Sequence, residues 1–552
     1  MAYKTAPDPN ETGWPKGLKY IIGNEGCERF SFYGMKAILQ VYLAILFTMK
    51  GLEEANAESE ANATVHFFIM GVYAFPLVGA IVADRLLGKY RTILYLSLVY
   101  CAGHAVLALA DLYGDPGSKV QIFYVGLALI AVGSGGIKPC VSAHVGDQFG
   151  KGNWHRLQRV FQIFYFIINF GSFFATIFIP LFKDWFGFGI AFAIPGVLMF
   201  IATILFWMGR HVFVHVPEHP GGKLGAMDAI SSTLLLMPFV YLVLPTEQAF
   251  GVKAAIAGAA ITVGAVVFFV RQKMQQDDGF LAVTVYALKA KVTGSEDEPL
   301  PQAADDVAPE GDEVPDLRKH SFWGPAARRF GQEAAEGPIA VLKIISIFFL
   351  VSVFWALFDQ HATSWVSQAK QMDLTLPFSI FGREEAAPEQ VQALNPILVM
   401  LLIPFTAGFL YPLLGKLGFE MTPLRRMTVG MLMTGFSFVL AAVIQEKLDD
   451  GAELSFLWQL GQYVVITLAE VMVSITGLEF AYSQAPKRMK STIMSFWLLT
   501  VAAGNAIAGL LFHSLEDWAL VDFFWLFAGL MAGAALLFAL RASFYKYREF
   551  AQ

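Results

Sequence analysis

The chain has 552 residues, of which 56% are hydrophobic and only 15% charged, where an ordinary soluble domain carries about 25% charged residues. That balance excludes a soluble globular protein and describes an integral membrane protein, and a formal net charge of -6 gives no footing for a nucleic-acid partner. The three cysteines, Cys27, Cys101 and Cys140, lie in apolar segments without metal-ligand or secreted-disulfide spacing, so free thiols are expected.

The N-terminal stretch "MAYKTAPDPNETGWPKG" lacks a basic start, apolar core and small-residue cleavage site, so no signal peptide is expected to be removed. A helix needs roughly 20 mostly apolar residues to cross the hydrocarbon core. By that ruler six spans fall near 21–47, 65–84, 91–112, 120–144, 158–182 and 188–209. Two more follow near 228–246 and 252–271, and six others near 338–366, 394–416, 425–445, 456–482, 489–512 and 520–542. The fourteen spans predict an all-α polytopic protein: an N-terminal six-helix bundle over 1–210, two additional helices over 211–274, a linker over 275–337, and a C-terminal six-helix bundle over 338–552. The linker holds "GSEDEPLPQAADDVAPEGDEVPD", too polar and proline-rich to bury a core, and reads as a mobile or loosely packed tether. The turns "GAIVADRLLGKYRT" and "LLGKLGFEMTPLRRMT" make only a faint repeat between the halves.

Lys and Arg fill alternate short loops: Arg85, Lys89 and Arg91; Lys151, Arg156 and Arg159; Lys416, Arg425 and Arg426; Lys487, Arg488 and Lys490. The opposite loops are acidic, with Glu53, Glu54, Glu58 and Glu60 in the first and Glu384, Glu385 and Glu389 in another. The basic loops are therefore expected in the cytoplasm, with both termini inside a cytoplasmic membrane.

Charges inside spans demand an explanation, because each costs about 2.5–3.5 kcal/mol at bilayer depth on insertion scales. The first span carries Glu25, Glu28 and Arg29 at helical spacing, and Phe32, Tyr33, Lys36 and Gln40 continue on the same side. An ion pair that merely docks the helix would explain two charges; four charges and Tyr33 on one stripe favour a watered path. His66 and Tyr73 share a face of the second span, and Lys138 follows the glycine-rich "VGSGG" and precedes Pro139. Asn169, Asp359, Asn395 and Glu470 add polar groups in four further spans. Each Asn alone reads as interhelical glue, but polar groups from six helices converge on a functional path. His211, His215 and His219 have ligand-like spacing, yet Pro217 and Pro220 break the helix, and no metal is expected. No H-E-x-x-H, P-loop or G-x-S-x-G motif is present, so neither an enzyme nor ATP-driven transport is indicated, and active transport would draw on an ion gradient.

"EGCERFSFYG" resembles the E-x-x-E-R-F-x-Y-Y-G motif of the proton-dependent oligopeptide transporter family, a branch of the major facilitator superfamily. "GAIVADRLLGKYRT", "GSGGIKPCVSAHVGDQF", "FYFIINFGS", "FWALFDQ", "LNP", "GLEFAYSQAP" and "FWLLTVAAGN" are similar to further signatures of that family and cover nearly all the spans. The resemblance implies a major facilitator fold and alternating-access import of dipeptides and tripeptides with protons, with the proton as coupling ion and no other cofactor. It implies that Glu25, Glu28 and Arg29 form the coupling cluster, with Lys138, His66 and Asp359 sharing in proton coupling or gating. Lys36 and Lys138 would meet the peptide carboxylate, Glu470 with Asn169 and Asn395 the amino group, and Tyr33, Tyr73, Ser474 and Trp497 would line the cavity. Phe32 replaces a tyrosine of the motif and Lys36 stands where arginine is common, which bears on substrate preference. The two additional helices suit a prokaryotic member, and a monomer is expected. An anion transporter of the same superfamily has no use for Glu470, and a peptide receptor that moves nothing has no need of the coupling charges.

Overall fold

The computed structural model describes residues 3–112, 114–246, 248–294, 296–300, 316–380, 382–484, 490–545 and 547. Fourteen helices among them are long and apolar enough to cross a membrane, matching the spans read from hydropathy. The N-terminal bundle consists of α1 (Leu18–Met49), α2 (Glu54–Val82), α3 (Lys89–Ala110), α4 (Pro116–Asp147), α5 (Leu157–Phe186) and α6 (Phe188–Met208). The additional pair is α7 (Gly222–Val243) and α8 (Phe250–Met274), followed by α9 (Phe280–Thr293) and α10 (Gly324–Phe330). The C-terminal bundle holds α11 (Gln332–Phe358), the short α12 (Ser364–Ala369), α13 (Leu394–Phe405), α14 (Tyr411–Lys416), α15 (Pro423–Asp449), α16 (Gln459–Glu470), α17 (Thr476–Ser483), α18 (Lys490–Ser514) and α19 (Leu520–Ser543).

Several helices outrun the apolar runs that announce them. The 32 residues of α1 span about 48 Å at 1.5 Å per residue, well beyond the roughly 30 Å hydrocarbon core. Burial separates inner from outer helices: 78% of the apolar window of α1 is buried, against 17% in each of α7 and α8. The α7–α8 pair therefore sits at the periphery. Arg271 on α8 clamps Asp228 on α7 with bonds of 2.6 and 3.1 Å, and Arg85, just after α2, reaches Asp277 at 3.5 Å.

Each bundle has its own apolar core, but α2 belongs to both. Phe67 and Met70 of α2 pack with Phe348, Trp355 and Phe512 of the C-terminal bundle, while Val65 and Phe68 pack into the N-terminal one. Glycines set the close crossing of α2 and α4. A Cβ at Gly79 of α2 would stand 2.1 Å from the Gly135 carbonyl of α4, so only hydrogen there lets the two backbones touch.

The linker differs from the loose tether expected of it. Its most acidic part, residues 301–315, lies outside the described residues, but the flanks are built. Val283, Tyr286, Ala287 and Ala290 of α9 pack on Leu317, Trp323 and Phe330, and Arg328 clamps Glu296 with bonds of 2.8 and 2.5 Å. Average polarity over 275–337 hid this apolar face, because a helix needs only every third or fourth residue to be apolar. Between α12 and α13 an antiparallel hairpin of β1 (Thr375–Ile380) and β2 (Arg383–Glu385) forms in a loop for which no strand was expected.

Candidate functional site

The charged stripe of α1 faces two neighbourhoods. Near its start, Arg29 Nε donates to Glu25 Oε1 at 2.8 Å and lies 3.3 Å from Glu28 Oε2. Both carboxylates are buried, and among the described residues the Glu28 oxygens have no hydrogen-bond partner beyond that ion pair. Tyr33, one turn on, is faced by Arg29 and Glu28 from its own helix and by Glu470 and Asp359 from the other bundle.

Lys138 enters from α4. The close α2–α4 crossing at Gly79 and Gly135 brings its ammonium 4.1 Å from the Phe32 ring centre and 5.4 Å from that of Tyr73. Among the described residues the buried Nζ atom has no hydrogen-bond acceptor, so two aromatic faces carry it in place of a carboxylate. Phe32, the departure from the family motif, thus has a definite partner. Asn169 on α5 spends its amide N–H on the Tyr165 carbonyl one turn back.

On the C-terminal side, Asn395 at the start of α13 donates to Glu470 Oε2 at 2.9 Å and to Thr467 at 3.2 Å. Glu470 ends α16, and the chain continues through a π-helical turn over Val471–Ile475 that contains Ser474. Such turns are frequent at functional sites because they re-aim the side chains that follow. Trp497 is 3% exposed: it covers Gly477, where a Cβ would meet the indole at 2.1 Å, and packs edge-on against Phe348 at 5.1 Å. It forms a packed wall in this structure.

Lys36 departs further from expectation. Its ammonium donates to Asp359 Oδ1 at 2.8 Å, across the two bundles, with both side chains nearly buried. In this structure it is engaged by a carboxylate. Asp359 sits where α11 gives way to a 3-10 turn, and its second oxygen accepts from Asn505 Nδ2 at 2.8 Å. The Asn505 oxygen must then accept from His66 Nδ1 at 2.8 Å, leaving His66 Nε2 to accept from Gln360 Nε2 at 3.0 Å. These bonds fix the orientation of the His66 ring between Asn505 on one side and Gln360 and Thr363 on the other. His66 and Asp359 therefore belong to a network distinct from the Glu25–Glu28–Arg29 cluster. Gln360, Thr363 and Asn505, to which sequence reasoning gave no role, complete it; "FWALFDQ" and "AAGN" contained two of them.

The same end of the molecule is stitched across the bundles by Gln40 to Ser367 at 3.1 Å, Ser59 to the Phe512 carbonyl at 3.0 Å and Lys370 to Glu58 at 2.7 Å. Lys183 pairs with the buried Glu389, and Arg383 of the hairpin pairs with Asp184. These bonds close the seam at the acidic-loop end, with the Lys36–Asp359 pair as its innermost rung.

Two facing six-helix bundles with buried charges along their seam define a membrane transporter of the major facilitator kind. Residues 90–526 match the POT family, and the chain belongs to that family. It is 33% identical over 449 residues to Peptide transporter 3 of Caenorhabditis elegans, covering 80% of this chain and 52% of that one. It is 34% identical over 452 residues to Peptide transporter family 1 of Drosophila melanogaster, covering 80% of this chain and 49% of the relative. The chain thus spans about half the length of the curated relatives it matches. The crystal structure of an auto-inhibited POT family peptide transporter superposes with a TM-score of 0.75 at 36% identity, covering 98% of this chain and 99% of that one.

Proposed function

We propose that the protein is a proton-coupled symporter that imports dipeptides and tripeptides by alternating access. The observation that carries this reading is the separation of opposite charges on facing bundles. Glu470, held by Asn395, stands on the C-terminal side, and the ammonium of Lys138, held by aromatic faces and by no hydrogen bond among the described residues, stands on the N-terminal side. A zwitterion bound between them satisfies both ends. The peptide amino group goes to Glu470, Asn395 and Asn169, the carboxylate to Lys138, and Tyr33, Tyr73 and Ser474 line the path. Family membership and the peptide-transporter relatives support the same substrate class.

Glu25, Glu28 and Arg29 are the coupling cluster. While its carboxylates are ionised they hold Arg29; protonation frees the guanidinium, and an arriving peptide carboxylate competes for it. Lys36–Asp359 and the His66 network act as a gate. The acidic-loop end faces outward in a cytoplasmic membrane, both termini are cytoplasmic, and the chain works as a monomer. One net inward charge per cycle is worth about 2.3 kcal/mol per 100 mV, enough for roughly 50-fold accumulation. The test is uptake of radiolabelled dialanine into proteoliposomes under an inward proton gradient. Accumulation that disappears when an ionophore collapses the gradient supports the reading, and gradient-independent equilibration sinks it.

A further inference from the structure

The face of α1 turned toward α3 holds a second set of polar groups, which joins the coupling cluster at Glu28. Asn24, Glu28 and Ser31 recur at four and three residues and share one side of α1. Ser97, Tyr100 and His104 recur at three and four residues along one side of α3. The two sides meet: Ser31 Oγ lies 3.1 Å from His104 Nε2, and the Tyr100 hydroxyl is faced by Ser31 and Glu28. In a bundle of alternating helices α1 and α3 run in the same direction, so Ser97 falls level with Asn24, one turn nearer the basic-loop end. All six residues are at most 1% exposed.

This interior is short of partners. Among the described residues, both Asn24 side-chain atoms and Ser97 Oγ are buried without a protein hydrogen bond, and the Glu28 oxygens have only the ion pair to Arg29 at 3.3 Å, while the Tyr100 hydroxyl and His104 Nδ1 meet no geometric hydrogen bond and have Ser31 and the Phe192 backbone near them. One is satisfied in an informative way: Ser31 gives its only hydrogen to the Pro195 carbonyl of α6 at 2.8 Å, so it can only accept from His104 Nε2. The His104 ring is pinned there, since Gly196 leaves no room for a Cβ beside it. Orphaned polar atoms of this density are found around ordered internal water, which typically makes about three hydrogen bonds.

We propose that a file of ordered water binds between α1 and α3, walled by α6, and that it carries the coupling proton between Glu28 and the basic-loop end of the bundle. This rests on the proton-coupled reading above. Glu28 is the junction. On the seam side it faces Arg29, Glu25 and Tyr33 of its own helix, Tyr73 of α2 and Lys138 of α4, and on the inner side Tyr100 of α3. A proton leaving Glu28 Oε passes to a water oxygen as that water releases another to the next, so charge moves while no bond changes oxidation state. Asn24 and Ser97 hold the lower part of the file. Asn24 is six residues from the start of α1, about 9 Å of helix rise, so the outlet is short. Tyr100, Ser97 and Asn24 are positioning residues here; Glu28 exchanges the proton.

The test pairs a footprint with a flux. X-ray pulses generate hydroxyl radicals from bound water in place, which mark an adjacent tyrosine even when it is buried. In the wild-type protein in proteoliposomes, Tyr100 should be marked and Tyr463, equally buried but bonded to the His361 carbonyl at 2.9 Å, should not. The variant combining Asn24→Leu with Ser97→Val should reduce the Tyr100 mark at least about fivefold. It should also lower the ratio of proton-driven dialanine uptake to peptide counterflow about tenfold and displace the pH profile of uptake. Tyr100→Phe gives a second variant for the flux. A Tyr100 mark no stronger than that of Tyr463 in the wild type overturns the proposal, as does a marked Tyr100 whose dry variant keeps the wild-type ratio and pH profile. If the wild type shows no gradient-dependent uptake although Tyr100 is marked, the transport reading fails and the carrier role with it, while the water site stands.

Discussion

The Lys36–Asp359 pair offers the sharpest test of the gate. Both side chains are less than a tenth exposed, and Asp359 accepts from Lys36 and Asn505 at 2.8 Å each. Asp359→Ala strands the Lys36 ammonium in that dry site, and removing one member of a buried pair costs about 3–5 kcal/mol. Opening the seam returns Lys36 to water and relieves the penalty, so the cost falls on the closed state alone. Taking the lower figure, the closed-to-open ratio should fall about 150-fold. Replacing both members with apolar groups, Lys36→Met with Asp359→Leu, should recover much of the closure, because a well-packed apolar pair avoids the desolvation cost. The assay is a spin-label distance distribution between Gly114→Cys and Ala452→Cys, which stand on opposite bundles at the acidic-loop end, with the three native cysteines replaced. A longer-distance population should dominate in Asp359→Ala and recede in the double variant. Identical distributions in all three proteins would refute the assignment of this pair as a gate.

Glu470→Gln keeps a partner for Asn395 but removes the anion, and charged hydrogen bonds are worth about 1.5–3 kcal/mol. Dialanine should then compete about 10- to 100-fold less well for uptake, while N-acetyl-dialanine is unaffected. Phe32→Leu removes the ring 4.1 Å from Lys138 and should lower the protein's stability by about 1–2 kcal/mol, read as chemical denaturation in detergent, whereas Phe32→Tyr should be close to neutral. Gly79→Ala should abolish recovery of folded protein because its Cβ meets backbone oxygen at 2.1 Å, while Gly258→Ala, with nothing within 4 Å, should be tolerated; size-exclusion recovery compares them. Outside the membrane, Arg328 holds the Glu296 carboxyl below its ordinary range. The pair's contribution is therefore present above that range and lost as pH falls through the lowered value; being exposed, it is worth less than about 1 kcal/mol. Amide hydrogen exchange over α9 (Phe280–Thr293), corrected for the intrinsic pH dependence of exchange, should rise slightly on acidification and not in Glu296→Gln.

Hydropathy alone determined the fourteen spans and their six, two, six grouping, because apolar length is a local property that the bilayer tests residue by residue. The motifs also made Glu25, Glu28, Arg29, Lys138 and Glu470 legible, since a charge inside a span stands out against its neighbours. What those charges touch was not legible. Lys36 and Asp359 are 323 positions apart, and only the meeting of two bundles makes them a pair. His66 took its place in the closed seam from Asn505 and Gln360, on helices far away in the chain. Phe32 read as a lost hydroxyl until the α2–α4 crossing put Lys138 over its ring. The linker's apolar face was diluted by acidic neighbours, and the ladder of Asn24, Glu28 and Ser31 against Ser97, Tyr100 and His104 became visible only once α1 and α3 were both packed on α6. The chain writes the composition of each helix locally; which faces meet is decided by packing many helices at once, and there buried polar groups gain or lose their partners.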